Sequence, residues 1–444
     1  MTEALQRYFN VRRDELLPIL LAAFYFFCIL TALMILRPSR DALGMQGGMD
    51  TIRWLFMGTL VATLFVNPIF GWLVSRYRRL VFISATNGFF AFNLLVFCAL
   101  LVLTPQAVGQ TTGMVFYVWM SVFNLFITMV FWALMADRFS LEQSKRMFAL
   151  IAAGGTVGAI FGSSLAWQLA EVIGAAMLLV VAAAFLLLGT LAAWGVAMLQ
   201  PERRDEANQD GTPVVSEQAV IGGSAIDGFR SVMRSPYLLG ISAYVLILAV
   251  MATFLYFTRL QLVAALGDDV DMRAGVFAQI DLATQVATLV MQVIVAGHVM
   301  KRLGVPLTLA LLPVTVALGF IGLAMVTSLL VLVIFESIFR AVQRALTRPA
   351  RETLFTVVDR EDKYKAKAFI DTFVYRGGDA IGAQTEGALG RLGMGVAALA
   401  AVAVPLAMVW AALGIWLGRE QARLAGQAQV DAPADAEPEV VVQS

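Results

Sequence analysis

The residues able to do chemistry are ionisable side chains set where an apolar chain should not carry them. The stretch Met34-Ile-Leu-Arg-Pro-Ser-Arg-Asp41 places Arg37, Arg40 and Asp41 at the end of a long apolar run, and Arg53 opens the next one. Arg259 ends a later run, and Asp281, Glu336, Arg340, Arg376, Asp379 and Glu386 fall inside others. A charge within a membrane span is costly and usually faces a cavity or a partner. Arginines at the ends of spans either snorkel to lipid phosphates or form an electropositive mouth. The second reading is favoured, because Arg259 gives the second half of the chain a matching charge. Arginine suits phosphate or carboxylate, since its planar fork binds both oxygens of such a group. Arg37, Arg40, Arg53, Arg259, Arg340 and Arg376, with Asn124 and Asp379 on polar stripes, are the expected substrate-binding residues. Asp281, Glu336 and Glu386 are the candidates for binding a coupling ion.

Helical spacing groups these residues. Thr372, Arg376, Asp379, Ala383 and Glu386 fall within about 80° of one another at 100° per residue. Glu336, Arg340, Gln343 and Thr347 form a second stripe, Asp281, Gln285, Thr288 and Gln292 a third, and Ser121, Asn124 and Thr128 a fourth. The alternative is that Glu336/Arg340 and Arg376/Asp379 are local ion pairs that join helices. Asp281 has no such neighbour in sequence. Pro38 is expected to break the helix near Arg37.

The elements that must position these groups are membrane spans. Of the 444 residues, 60% are hydrophobic and 14% charged, well below the roughly 25% charged of a soluble domain. Apolar runs long enough to cross about 30 Å of hydrocarbon recur along the chain. Twelve spans are predicted, near 16–36, 52–75, 80–103, 114–136, 147–169, 174–199, 236–258, 274–299, 305–326, 328–347, 366–388 and 394–417. The first run is too long for a signal peptide and lacks a small-residue cleavage site, so it is retained as a span. An even number of spans puts both ends on one side. That side then holds 25 of the 32 Lys and Arg, counting Arg340, Arg344, Arg348 and Arg351 with it, and is cytoplasmic by the positive-inside rule. A bacterial cytoplasmic membrane is expected.

Several chemistries are excluded or disfavoured. No phosphate-binding G-x-x-x-x-G-K-[ST] loop and no H-E-x-x-H motif occurs, and His298 is the single histidine, read as an interfacial polar residue at the end of the eighth span rather than the alternative, a proton relay. Cys28 and Cys98 sit in apolar runs and offer neither a disulfide framework nor a metal site. No cofactor or metal is expected, the chain is not read as an enzyme, and no basic tract points to nucleic acid.

The polar stretch between Pro201 and Pro236 divides the chain into a first half (1–200), a cytoplasmic linker (201–235), a second half (236–418) and a disordered acidic tail (419–444). The halves echo each other. Ala42-Leu-Gly44 recurs as Ala265-Leu-Gly267, Val61-Ala-Thr-Leu64 as Val286-Ala-Thr-Leu289, and Gly154/Gly158 as Gly378/Gly382. Two related six-helix halves describe an all-α, major-facilitator-like bundle with its site between the halves.

The segments "ILRPSRDALGMQGG" with "IRWLF", "SKRMFALIAAGGTVGAIFG" (Ser144 to Gly162) and "KAKAFIDTFVYRGGDAIGA" (Lys365 to Ala383) resemble the ATP/ADP translocase (nucleotide transporter) family of bacteria and plastids. The resemblance implies a twelve-span carrier that exchanges or co-transports anionic, nucleotide-like solutes, with Arg37, Arg40, Asp41 and Arg53 in the family's charged cluster and Arg376 in its eleventh-span motif. On this ground Asp41 joins the expected substrate-binding residues. Two positions depart from the pattern: Met120 stands where the family has an acidic residue, and Asp379 where it has a lysine. A carboxylate there opposes phosphate binding. The expected partners are a small anionic solute, membrane lipids and a coupling ion, either a proton or a counter-substrate, acting on a monomer. Two alternatives stand beside this: a proton-coupled carrier of another organic solute such as a sugar, peptide or drug, and a non-transporting membrane partner or sensor.

Overall fold

The computed structural model describes residues 15–76, 79–104, 106–139, 141–199, 225–393 and 395–430. Among these, every long element is helical. The first half comprises α1 (Leu16–Gly44), α2 (Met49–Arg76), α3 (Arg79–Leu103), α4 (Gln106–Arg138), α5 (Leu141–Ile173) and α6 (Ala175–Leu199). A short helix, α7 (Ala225–Arg234), precedes α8 (Pro236–Ala264) and α9 (Val270–Val290). α9 runs through a π turn at Met291–Val295 into α10 (Ala296–Met325), which itself turns at Gly304, where φ is +67°. α11 (Leu329–Val342), a π turn (Gln343–Thr347) and α12 (Arg348–Leu354) make the tenth span. α13 (Arg360–Phe369), a π turn (Ile370–Val374) and α14 (Tyr375–Arg391) make the eleventh, and α15 (Val396–Val430) is the twelfth.

Ten helices among the described residues are long and apolar enough to cross a membrane. The tenth and eleventh spans complete the set of twelve; their charges set them apart. The π turn is a local insertion that re-aims side chains and recurs at functional sites. Here all three lie in spans of the second half that face the first.

α1 and α8 form the centre of the bundle. Ile19, Tyr25, Ile29 and Ile35 of α1 and Tyr244, Met251, Leu255 and Phe257 of α8 are buried. α3 and α6 face outward, presenting Phe89, Phe92, Leu191 and Met198, the surface that hydrocarbon would solvate at no cost. Glycine sets how closely the central helices approach. A Cβ on Gly154 or Gly158 of α5 would lie 2.4 or 2.3 Å from the carbonyl oxygens of Ala23 or Phe27 on α1. On α14, a Cβ on Gly378 would meet Leu246 of α8, and one on Gly382 would meet Val250 and Thr253. The repeated glycines thus occupy equivalent places in the two halves, as small residues do where membrane helices pack tightly.

Three sequence expectations need correction. α1 does not break at Pro38 but continues to Gly44, because proline removes one backbone bond of a helix that its neighbours hold from both sides. The twelfth helix extends through 419–430, which the sequence reading assigned to the tail. Part of the expected linker is the helix α7, whose Val232 is buried and whose Ser231 donates to Asp362 of α13. Residues 1–14, 200–224 and 431–444, with Arg7, Arg12, Arg13, Arg203 and Arg204, lie outside the described residues, as does the side chain of His298.

Candidate functional site

A cavity of about 680 Å³ lies between the halves. α1 and α4 contribute Arg37, Arg40, Tyr117, Met120, Ser121, Asn124 and Thr128; α2 and α5 add Phe56, Thr59 and Thr156. The other wall carries Thr253 and Tyr256 from α8, Gln285 and Thr288 from α9, Gln292 from its π turn, Arg340, Arg344 and Arg348 from the tenth span, and Tyr375, Arg376 and Asp379 from the eleventh. The three polar residues of the fourth span all face the cavity, as their spacing of three and four predicts. Six arginines and one aspartate therefore line a space enclosed by apolar helices.

The tenth span departs from its expected stripe. Gln343 and Thr347 turn to a smaller adjoining recess of about 430 Å³, while Arg344 and Arg348 line both spaces. The π turn at Gln343–Thr347 changes the register between Arg340 and Arg348. Counting these arginines with the cytoplasmic loops therefore assigned cavity residues to the membrane surface. Their signal was present in the sequence as the spacing 340, 344, 348, one helical turn each.

At the end of the bundle that carries the Gly44–Met49 turn, the cavity closes on a buried ion cluster joining both halves. Arg259 is fully buried, with Nη1 3.0 Å from Asp281 and 3.3 Å from Glu336, and Nη2 3.8 Å from Asp41. Its guanidinium also lies 4.8 Å from the centre of the Phe277 ring. Arg37 approaches Asp281 at 3.6 Å, Arg340 approaches Glu336 at 3.6 Å, and Arg40 binds Asp41 at 2.5 Å while lying over the Tyr117 ring. The Tyr256 hydroxyl donates to Asp41 at 2.9 Å and stands 2.9 Å from that of Tyr117. Asp281, without a partner nearby in sequence, thus has two across helices. The Glu336/Arg340 and Arg376/Asp379 pairs both form, the latter at 3.3 Å, and Arg340, Arg376 and Asp379 line the cavity as well.

Arg53 and Glu386 do not line this cavity. They pair at the same closed end, where Gln261 also donates to Glu386 at 2.6 Å. There too Asp271 of α9 accepts from the backbone N–H of Ala175 at the start of α6, at 2.7 Å. Among the described residues no group of His, Cys, Asp and Glu is arranged to hold a metal; Cys28 and Cys98 are free and buried.

A profile of the Major Facilitator Superfamily matches residues 19–342. The fold is similar to those of a mutant of the nucleoside transporter NupG (14% identity, TM-score 0.58, covering 93% of this chain and all of that one) and of the POT family transporter PepTSo (12%, 0.60, 95% and 99%). It is also similar to a bacterial homologue of the human lysosomal transporter Spinster in its inward-facing, unoccupied conformation (15%, 0.54, 92% and 95%). No curated protein sequence matches the chain. The family match stands at the level of the superfamily and does not extend to the narrower ATP/ADP translocase grouping. Twelve spans around a central cavity, with a superfamily profile running from the first half into the second, place this multi-pass membrane transporter in the Major Facilitator Superfamily.

Proposed function

We propose that this transporter moves an anionic organic solute, phosphorylated or nucleotide-like, by alternating access of the central cavity. The observation that carries this reading is the lining of six arginines against one aspartate. The closed-end carboxylates answer three of these arginines; the positive charge that remains in an apolar surround is expensive unless an anion answers it. The segments resembling the ATP/ADP translocases support the nucleotide-like form of the substrate, and Asp379 opposes it. Asn124, Arg376 and Asp379 would meet the solute, while Arg37, Arg40 and Arg340, paired with closed-end carboxylates, would border its site. Arg53, Arg259, Asp41, Asp281, Glu336 and Glu386 would hold the closed end, and their carboxylates would change partners as the halves rock.

The bias of basic residues makes the closed end external and both termini cytoplasmic in a bacterial inner membrane, so that the cavity faces inward. A single chain contains the whole cavity, and the monomer is the proposed working unit. Counterflow in proteoliposomes tests the reading: Arg376→Ala should reduce uptake of an anionic solute at least tenfold. Full uptake of every anion tested by that variant would sink the role of the arginines. A second reading, proton-coupled uptake of an uncharged solute, rests on Asp379 as the single carboxylate of the lining; it predicts uptake driven by a pH gradient and lost in Asp379→Asn.

A further inference from the structure

The six lining arginines are not equivalent. Arg37, Arg40 and Arg340 each have a carboxylate partner in the closed-end cluster, namely Asp281, Asp41 and Glu336. Those carboxylates are at most 2% exposed. Drawing such an arginine onto a solute would leave a buried carboxylate short of a partner, which is strongly unfavourable. The remaining three differ. Arg344 binds only a neutral group, donating to Gln285 Oε1 at 2.7 Å. Arg348 is exposed to the cavity and has no carboxylate within ion-pair distance among the described residues. Arg376 shares Asp379 at 3.3 Å. Set against Asp379 alone, these three leave two uncompensated positive charges on the wall formed by the second half.

The facing wall is of another kind. Away from the closed end, the first half presents Ser121, Asn124 and Thr128 from α4 and Thr156 from α5, all neutral hydrogen-bonding groups.

We infer that the two walls divide the solute between them. Arg344, Arg348 and Arg376 hold a dianionic group, while the first half binds an uncharged polar body. The substrate class is therefore an organic monophosphate, or an equivalent dianion, on a hydroxyl- or amide-bearing frame. This rests on the anion reading above and narrows it. Arg344 lies within the π turn and Arg348 directly after it, and both line the cavity, so their forks approach one phosphate together. Because Arg344, Arg348 and Arg376 also line the adjoining recess, the anion passes between the two spaces without losing them.

The test uses the full-length protein in detergent, titrated with glucose 6-phosphate, adenosine 5′-monophosphate, their dephosphorylated parents, inorganic phosphate and succinate, with thermal stabilisation as the readout. At least one organic monophosphate should bind tenfold or more tightly than its parent and than inorganic phosphate. Arg344→Gln and Arg348→Gln should each weaken that binding about tenfold or more, the loss expected for one charge-assisted hydrogen bond. Arg348→Lys, keeping the charge without the fork, should fall between. Asn124→Ala should weaken the organic monophosphate and leave inorganic phosphate unchanged. Succinate binding as tightly as the monophosphates, untouched by Arg348→Gln, would overturn the division of the walls while leaving an anion site. Glucose or adenosine binding as tightly as its phosphate would overturn both readings, and the absence of stabilisation by either monophosphate would overturn the proposed class.

Discussion

Arg53 of α2 and Glu386 of α14 meet across the two halves, with Nε 2.9 Å from Oε2, and Gly387 makes room for them: a Cβ there would lie 2.6 Å from the arginine Cδ. Both side chains are nearly buried, but Arg53 also reaches the exposed Asp50 at 2.5 Å, so loss of Glu386 costs less than a fully uncompensated buried charge would, about 3–5 kcal/mol. Part of that cost should appear as a shift toward a state open at this end. Glu386→Gln is expected to raise the population of that state at least tenfold, read as a distance change between spin labels on α2 and α14. An unchanged distance distribution would show that the pair does not hold the halves together.

Much of this arrangement was legible in the sequence, for identifiable reasons. Ser121, Asn124 and Thr128 reach the cavity because a straight helix preserves a spacing of three and four residues. Gly154/Gly158 and Gly378/Gly382 play the same part in the two halves because the halves repeat one another. What could not be read were contacts between helices distant in sequence: the bond from Arg259 to Asp281 crosses 22 residues, and that from Tyr256 to Asp41 crosses 215. Arg344 and Arg348 were misassigned for a third reason. A run of regularly spaced arginines resembles a cytoplasmic loop when charge is counted without register, and the π turn that re-aims them leaves no mark in composition.

The glycine contacts between α5 and α1 give a stability prediction. Gly158→Ala places a methyl group 2.3 Å from the Phe27 carbonyl oxygen, which is backbone and cannot turn aside. Thr31 also donates to the carbonyl of Gly158, at 3.1 Å, so separating the helices would stretch that bond. The variant should lose about 1–3 kcal/mol, the usual cost of overpacking. Gly88→Ala on α3, where a Cβ meets nothing within 4 Å, should cost nothing measurable. Equal melting temperatures for the two variants would count against the close packing.

Orientation is open to labelling. Leu392 lies in the turn after α14 and is 75% exposed; Arg230, on α7, is exposed as well. In a background without Cys28 and Cys98, Leu392→Cys should react with a membrane-impermeant maleimide in intact cells, and Arg230→Cys only after permeabilisation. The reverse pattern would invert the topology drawn from the basic residues.

Asp379 gives the most direct test of the sign of the cavity. Its carboxylate accepts from Thr253 at 3.3 Å and from Arg376 at 3.3 Å, so it both weakens the field on a bound anion and competes for the arginine. A unit charge about 8 Å away contributes roughly 2 kcal/mol at an effective dielectric constant near 20. Asp379→Asn removes that repulsion and keeps the side-chain volume and an acceptor for Thr253. If the solute is an anion, the variant should bind it roughly thirtyfold more tightly, and raising the salt concentration should weaken binding in both forms. Release should slow as binding tightens, so net uptake should fall even as affinity rises. A proton-coupled carrier of an uncharged solute behaves differently: the same substitution would abolish gradient-driven uptake without tightening binding. Affinity measured by titration, beside uptake with and without a pH gradient, therefore separates the two readings with one variant.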